Sequence, residues 1–174
     1  MGKIIFYENR NFGGRTHECI SDCFELLAMF DHCHSVRVES GLFMVYDKPG
    51  FTGNQFFMRT GEYPDFTGMT GMNPCIRSCR AIPAYTGSFR MRLYEHFDMR
   101  GEMVELTEDC PNLMDRFRLF HFNSCNVIDG HWLLFEQPHY RGRHFYLKPG
   151  WYSSYKEWSA MSSRIGSIRR LSEP

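Results

Sequence analysis

An aromatic ring followed seven residues later by a glycine recurs through the chain as Tyr7/Gly14, Tyr46/Gly53, Tyr94/Gly101 and Phe135/Gly142. After each glycine, 21 to 25 residues on, comes a short polar side chain: Ser35, Ser124, Ser167 and, in the second unit, Cys75. Repetition of this kind restricts the fold more than any single motif, because every copy must make the same local structure. The spacing has a physical sense. Glycine takes positive φ without a Cβ clash and so permits a tightly folded hairpin. The ring can cover that hairpin, and a later hydroxyl can bond its exposed backbone.

The four units form two pairs. Asp22-Cys23, Leu26 and Phe30 of the first match Asp109-Cys110, Leu113 and Phe117 of the third. Units two and four match at a constant offset of 89: Gly41, Pro49, Phe56, Gly61, Tyr63 and Phe66 meet Gly130, Pro138, Phe145, Gly150, Tyr152 and Tyr155. Ile76 is matched to Ile168 by allowing a short insertion. The expected organisation is one domain over residues 1–83, a link over 84–87 and a second domain over 88–174. About 85 residues per half suffice for a core of its own.

Composition narrows the function. Twenty basic residues balance twenty acidic ones, which argues against nucleic acid or an anionic membrane as partner. No apolar run reaches the length of a membrane span. The N-terminus enters strand-like sequence at Lys3-Ile4-Ile5-Phe6-Tyr7, so no signal peptide is read and a cytoplasmic location is expected. The seven cysteines are then expected as free thiols. Cys19/Cys23 and Cys75/Cys79 are each four apart, roughly 13 Å along a strand and too far for a disulfide without a bend. Arginine outnumbers lysine 16 to 4, a skew that neutrality does not require and for which the expected fold supplies no reason. Together with 16 Phe, 9 Tyr and 11 Met it makes the chain rich in polarisable side chains.

Strand-period alternation at Phe89–Glu95, with further short strands at Ser35–Glu39 and Gln55–Arg59, indicates an all-β architecture. Glycine- and proline-bearing turns punctuate the chain every few residues. Helical pattern is confined to Leu113–Phe117 and Tyr155–Met161. Tyr63 and Tyr152 follow matched glycine turns, where a tyrosine hydroxyl can tie down a Greek-key corner.

Phe6-Tyr7-Glu8-Asn9-Arg10, Ser35-Val36-Arg37-Val38, Phe89-Arg90-Met91-Arg92, Asp109-Cys110-Pro111 and Gly166-Ser167-Ile168-Arg169-Arg170 resemble segments of the βγ-crystallin family, and within it the vertebrate lens gamma-crystallins. The resemblance covers the whole chain. It implies two β-sandwich domains, each of two Greek-key motifs, and a monomer without a specific partner that meets itself and other crystallins weakly at high concentration. Mammalian members carry two buried tryptophans per domain; here Trp132 and Trp158 take the C-terminal positions, with Phe43 and Met69 as their N-terminal counterparts. Few tryptophans with many methionines is similar to the fish gamma-M group. Cys75 in place of serine weakens the second unit, since a thiol is a poor hydrogen-bonding group.

Some relatives in this family bind calcium through adjacent acids followed by hydroxyls. The nearest runs, Asp31–Val36 and Phe120–Cys125, keep one acid and none, too few for an ion that needs six to eight oxygens. Cys19, Cys23, Cys33 and His34 cluster in sequence but lack paired zinc-ligand spacing. Walker, nucleophile-elbow, dinucleotide and zincin motifs are lacking, and the eight histidines lack a base–orienter arrangement. No catalytic, cofactor or metal residue is therefore assigned. The expectation is a structural, refractive lens-fibre protein of the cytoplasm; the alternative is a calcium- or partner-binding module outside the lens.

Overall fold

The computed structural model describes residues 2–26, 31–72 and 74–172. The chain divides into two compact units, one ending at Ala84 and one over Tyr85–Ser172. Each contains two sheets. In the N-terminal unit the strands are β1 (Lys3–Tyr7), β2 (Thr16–Cys19), β3 (Ser35–Ser40), β4 (Leu42–Lys48), β5 (Thr52–Met58), β6 (Gly61–Tyr63) and β7 (Ser78–Ile82). They form sheets ordered β2-β1-β3-β6 and β5-β4-β7. In the C-terminal unit β8 (Arg90–Tyr94), β9 (Met103–Leu106), β10 (Ser124–Asp129), β11 (Trp132–Gln137), β12 (Arg141–Leu147), β13 (Gly150–Tyr152) and β14 (Ser167–Arg170) repeat the plan. Their sheets are ordered β13-β10-β8-β9 and β12-β11-β14.

The halves of each unit exchange strands, which gives the Greek-key topology. β6 joins the sheet of the first half, while Cys23 from the first half bridges to Cys79 in β7. In the C-terminal unit β13 and the Cys110–Ile168 bridge do the same. Two short helices, α1 (Phe66–Thr70) and α2 (Leu113–Phe117), and a 3-10 turn at Tyr155–Trp158 lie in the connections. α2 and the turn match the two stretches of helical pattern; α1 has no such pattern and begins where Asp65 accepts a hydrogen bond from the Gly68 amide.

Alternation explains the burial. In β8, Met91 and Leu93 turn into the core while Arg90 and Arg92 both reach Glu105 on β9, at 3.0 and 2.9 Å. The N-terminal core gathers Ile4, Phe6, Val36, Phe43, Val45, Met58, Phe66 and Met72. The C-terminal core gathers Met91, Leu93, Phe122, Trp132, Leu134, Phe145, Trp158 and Ile168. Phe43 stands in the place of Trp132, each fully buried in the strand that centres its sheet.

Several expectations are corrected. Met69 does not fill the place of Trp158: it is 53% exposed, while Trp158 is buried. Phe66 and Met72, on either side of it, belong to the N-terminal core. Tyr85, expected in the link, belongs to the C-terminal unit, where its ring lies 5.1 Å from that of Phe89. Ile168 pairs with Leu134 as Cys79 pairs with Val45, so the offset of 89 continues without the insertion and Ile168 corresponds to Cys79, not Ile76. Phe30, matched in sequence to Phe117, lies outside the described residues.

Candidate functional site

The repeat builds the same device four times. Following the ring at Tyr7, Tyr46, Tyr94 or Phe135, the chain folds over itself in the hairpin before the glycine. Gly14, Gly53, Gly101 and Gly142 all take positive φ, at 79°, 83°, 81° and 80°. At Gly53 the requirement is also steric, since a Cβ there would sit 2.1 Å from Asp47 Oδ1. Asp47 uses that carboxylate to accept from the Asn54 amide at 2.8 Å.

A buried serine clamps each folded hairpin. Ser35 Oγ donates to the carbonyl of Asn9 at 2.5 Å and accepts from the amide of Phe12 at 2.9 Å. Ser124 Oγ donates to His96 and accepts from Met99, at 2.6 and 2.9 Å. Ser167 Oγ donates to Gln137 and accepts from Tyr140, at 2.7 and 3.0 Å. In the second unit the hydroxyl is that of Ser78, not Cys75: it donates to Lys48 at 2.6 Å and accepts from Phe51 at 3.1 Å. All four serines have 0% exposure. The bonded amide belongs each time to the residue five after the ring, and Phe12, Phe51, Met99 and Tyr140 all have positive φ. Non-glycine residues avoid that region unless something holds them there. The serine does so by satisfying the backbone groups that the fold of the hairpin leaves unpaired.

Cys75 sits elsewhere, its Sγ 3.6 Å from the Asp31 carbonyl. The signal for Ser78 was in the sequence. Extending the offset of 89 takes Ser167 to Ser78, and three of the four clamps share a Ser-x-Arg pattern: Ser35-Val36-Arg37, Ser78-Cys79-Arg80 and Ser167-Ile168-Arg169. That pattern also supplies a structural reason for part of the arginine skew. Arg37, Arg80 and Arg169 each lay a guanidinium over the ring that the serine holds: Phe12 at 4.2 Å, Phe51 at 4.0 Å and Tyr140 at 4.2 Å. A planar delocalised cation suits a ring face as lysine does not. In the remaining unit the pair is Asn126 and Met99, without a cation or a ring.

The clamp rings meet their partners edge-on, Tyr7 on Phe12 at 5.3 Å, Tyr46 on Phe51 at 5.9 Å and Phe135 on Tyr140 at 5.6 Å. The corner tyrosines brace the other end of the second motif in each unit. Tyr63 Oη donates to the Arg59 carbonyl and accepts from its amide, both at 3.1 Å. Tyr152 Oη does the same at Lys148, at 2.8 and 3.1 Å. Trp132 adds a further tie through its indole N–H, which donates to the Asp129 carbonyl at 3.1 Å.

The clamp geometry bears on other chemistry. Ser35 and Ser124 lie in the two runs nearest to a calcium loop, and both hydroxyls are committed to hairpin backbone. A cavity of about 300 Å³ beside the second run is lined by Glu95 but also by Arg118, His96 and His121, a poor oxygen set for a hard cation. All seven thiols are free. The chain bends after Cys19, so Cys23 leaves strand β2 and the separation expected along one strand does not apply. Cys33, fully enclosed, has its thiol pushed up to about 12 by burial.

The chain matches the family model described as Beta/Gamma crystallin over residues 3–82 and 90–171. It is 52% identical to gamma-crystallin B of Bos taurus and 53% identical to gamma-crystallin M3 of Cyprinus carpio, each over 98% of both chains. It is 50% identical to gamma-crystallin M2 of Chiloscyllium indicum, over 98% of this chain and 97% of that one. With the four clamps, the paired corner tyrosines and a match running nearly end to end, the chain belongs to the beta/gamma-crystallin family, as one of its gamma-crystallins.

Proposed function

We infer that this protein is a structural, refractive component of the eye lens, working by bulk properties and not by turnover. The observation that carries the reading is identity of 52–53% with gamma-crystallins over 98% of both chains. The residues agree with it. The repeated polar groups are spent on holding backbone, and the repeated stacked pairs join arginine to aromatic rings, two strongly polarisable groups. Eleven Met and a 16% aromatic content add to the refractive increment per unit mass. Close-packed cores exclude water, and zero net charge lets molecules approach closely.

The protein is non-catalytic on this reading, resident in the cytoplasm of lens fibre cells, and monomeric when dilute. Contacts with its own copies and with other crystallins arise only from crowding. Among the described residues no helix is long and apolar enough to cross a membrane. Refractometry against concentration on the pure protein tests the reading. A refractive increment above that of an average globular protein is expected; an average value would remove the refractive role. Sedimentation at micromolar concentration should give a monomer, and a stable dimer would refute that part.

A further inference from the structure

We propose that His17, Cys19 and Cys23 form a binding site for a thiophilic metal ion, Zn²⁺, that ties together the two sheets of the N-terminal unit. The imidazole and the two thiols offer ligand atoms that all lie within 4.8 Å of one another. A tetrahedral zinc with ordinary Zn–S and Zn–N bonds spaces its ligands about 3.3–3.8 Å apart, so the group is nearly assembled. His17 and Cys23 are only partly buried, which leaves them room to close in and leaves the fourth position to water.

The set differs from the one suggested by sequence proximity. Cys33 donates its thiol to the Ser35 carbonyl at 3.2 Å, and His34 packs on His32. His17 enters instead because it and Cys19 are two apart on β2, on one face of an edge strand. That face is the inner one: His17 pairs with Phe6, and Cys19 with Ile4, both core residues. Cys23 reaches the same place from the opposite sheet, through its bridge to Cys79.

The duplicated unit is an internal control. In register, Val104 pairs with Leu93 as His17 pairs with Phe6, and Leu106 pairs with Met91 as Cys19 pairs with Ile4. Cys110 bridges to Ile168 as Cys23 bridges to Cys79. The fold therefore needs only apolar filling at these places, and Val104, Leu106 and Ile168 provide it in the C-terminal unit. The N-terminal unit carries His17, Cys19 and Cys79 there instead, which sets an imidazole and a thiol beside Cys23, the one ligand whose counterpart, Cys110, is also a cysteine. Binding releases the thiol protons of Cys19 and Cys23 to solvent and uses His17 as neutral imidazole; no electrons move.

The test is anaerobic titration of the full chain with Co²⁺, a coloured stand-in for zinc, under a non-thiol reductant. One Co²⁺ per chain should produce a thiolate-to-cobalt charge-transfer band and the intense visible bands of a tetrahedral site, both erased by added Zn²⁺. His17→Val, which installs the residue of the equivalent position, and Cys23→Ser should each weaken binding at least about tenfold. Cys75→Ser, outside the group, should leave it unchanged. Far-UV circular dichroism checks that each variant is folded. Absence of the charge-transfer band, a band that survives both ligand substitutions in folded protein, or one lost with Cys75→Ser would overturn the proposal.

Discussion

The two units run the same chain plan and fill it differently. The C-terminal core holds Trp132 and Trp158, and the indole of Trp132 also bonds backbone. The N-terminal core holds Phe43 in the first place and has no ring at residue 69, where Met69 is exposed. Where the C-terminal unit has Val104, Leu106 and Ile168, the N-terminal unit has His17, Cys19 and Cys79. Two buried side-chain atoms without a hydrogen-bond partner among the described residues, His34 Nδ1 and Thr67 Oγ1, both fall in the N-terminal unit. The clamps and corners, by contrast, are kept in both. The difference teaches that the hydrogen-bonded scaffold sets the fold while core filling sets how stable each copy is. On every count the N-terminal unit should be the weaker.

The largest expected effect comes from making the strong unit resemble the weak one. Trp158→Met should lower the stability of the C-terminal unit by about 2–4 kcal/mol, through lost buried area and an unfilled space. The reverse change at the sequence-matched position, Met69→Trp, should alter stability by no more than about 0.5 kcal/mol, because the site is exposed. Chemical denaturation of both variants checks this. A clear stabilisation by Met69→Trp would show that the N-terminal core has an indole site after all.

Next in size is the clamp. Ser78→Ala removes one donor and one acceptor from buried backbone and should cost about 1–3 kcal/mol in the N-terminal unit. Ser167→Ala should cost the C-terminal unit a similar amount, since the two clamps share geometry. Cys75→Ser, which restores a hydroxyl at the position first matched to the repeat, should stay within about 0.5 kcal/mol of the parent. Equal costs for Ser78→Ala and Cys75→Ser in thermal unfolding would contradict the assignment of the clamp.

That substitution shows how far the sequence was legible. The ring, the glycine and the hydroxyl had to recur because positive φ and unpaired backbone recur, so the hairpins, the two-domain plan and Ser35, Ser124 and Ser167 could be read directly. Ser78 was missed because Cys75 and Ser78, 22 and 25 residues after Gly53, both fit the spacing; the offset of 89 favours Ser78, and strand register, Ser78 against Tyr46 as Ser167 against Phe135, settles it. Met69 was misplaced because equal offset does not ensure equal burial where α1 replaces the 3-10 turn. His17 was missed because, although it shares a face of β2 with Cys19, Cys23 joins the two only after the chain bends toward Cys79.

A smaller effect should appear on acidification. Burial holds the imidazoles of His131 and His144, in the C-terminal unit, below their usual proton affinity, with Lys148 adding to the effect at His131. Unfolded, each takes up its proton near pH 6.5. Below that pH the unfolded chain binds protons that the folded unit does not, so stability falls with pH until the lower folded pKa values are passed. The N-terminal unit has one such histidine, His34, lowered chiefly by burial and then by His32. Lowering the pH from 8 to 5.5 should therefore destabilise the C-terminal unit more and bring the two unfolding transitions closer together. Calorimetry at both pH values would show a widening gap if this is wrong.

Trp132, Trp151 and Trp158 all lie in the C-terminal unit, so fluorescence reports that unit alone while far-UV circular dichroism reports both. Overlaying the two denaturation curves tests directly whether one scaffold carries two stabilities. Circular dichroism should register a first step to which fluorescence is nearly blind, followed by a second step that both follow. Coincident curves, or a fluorescence transition that comes first, would contradict the account.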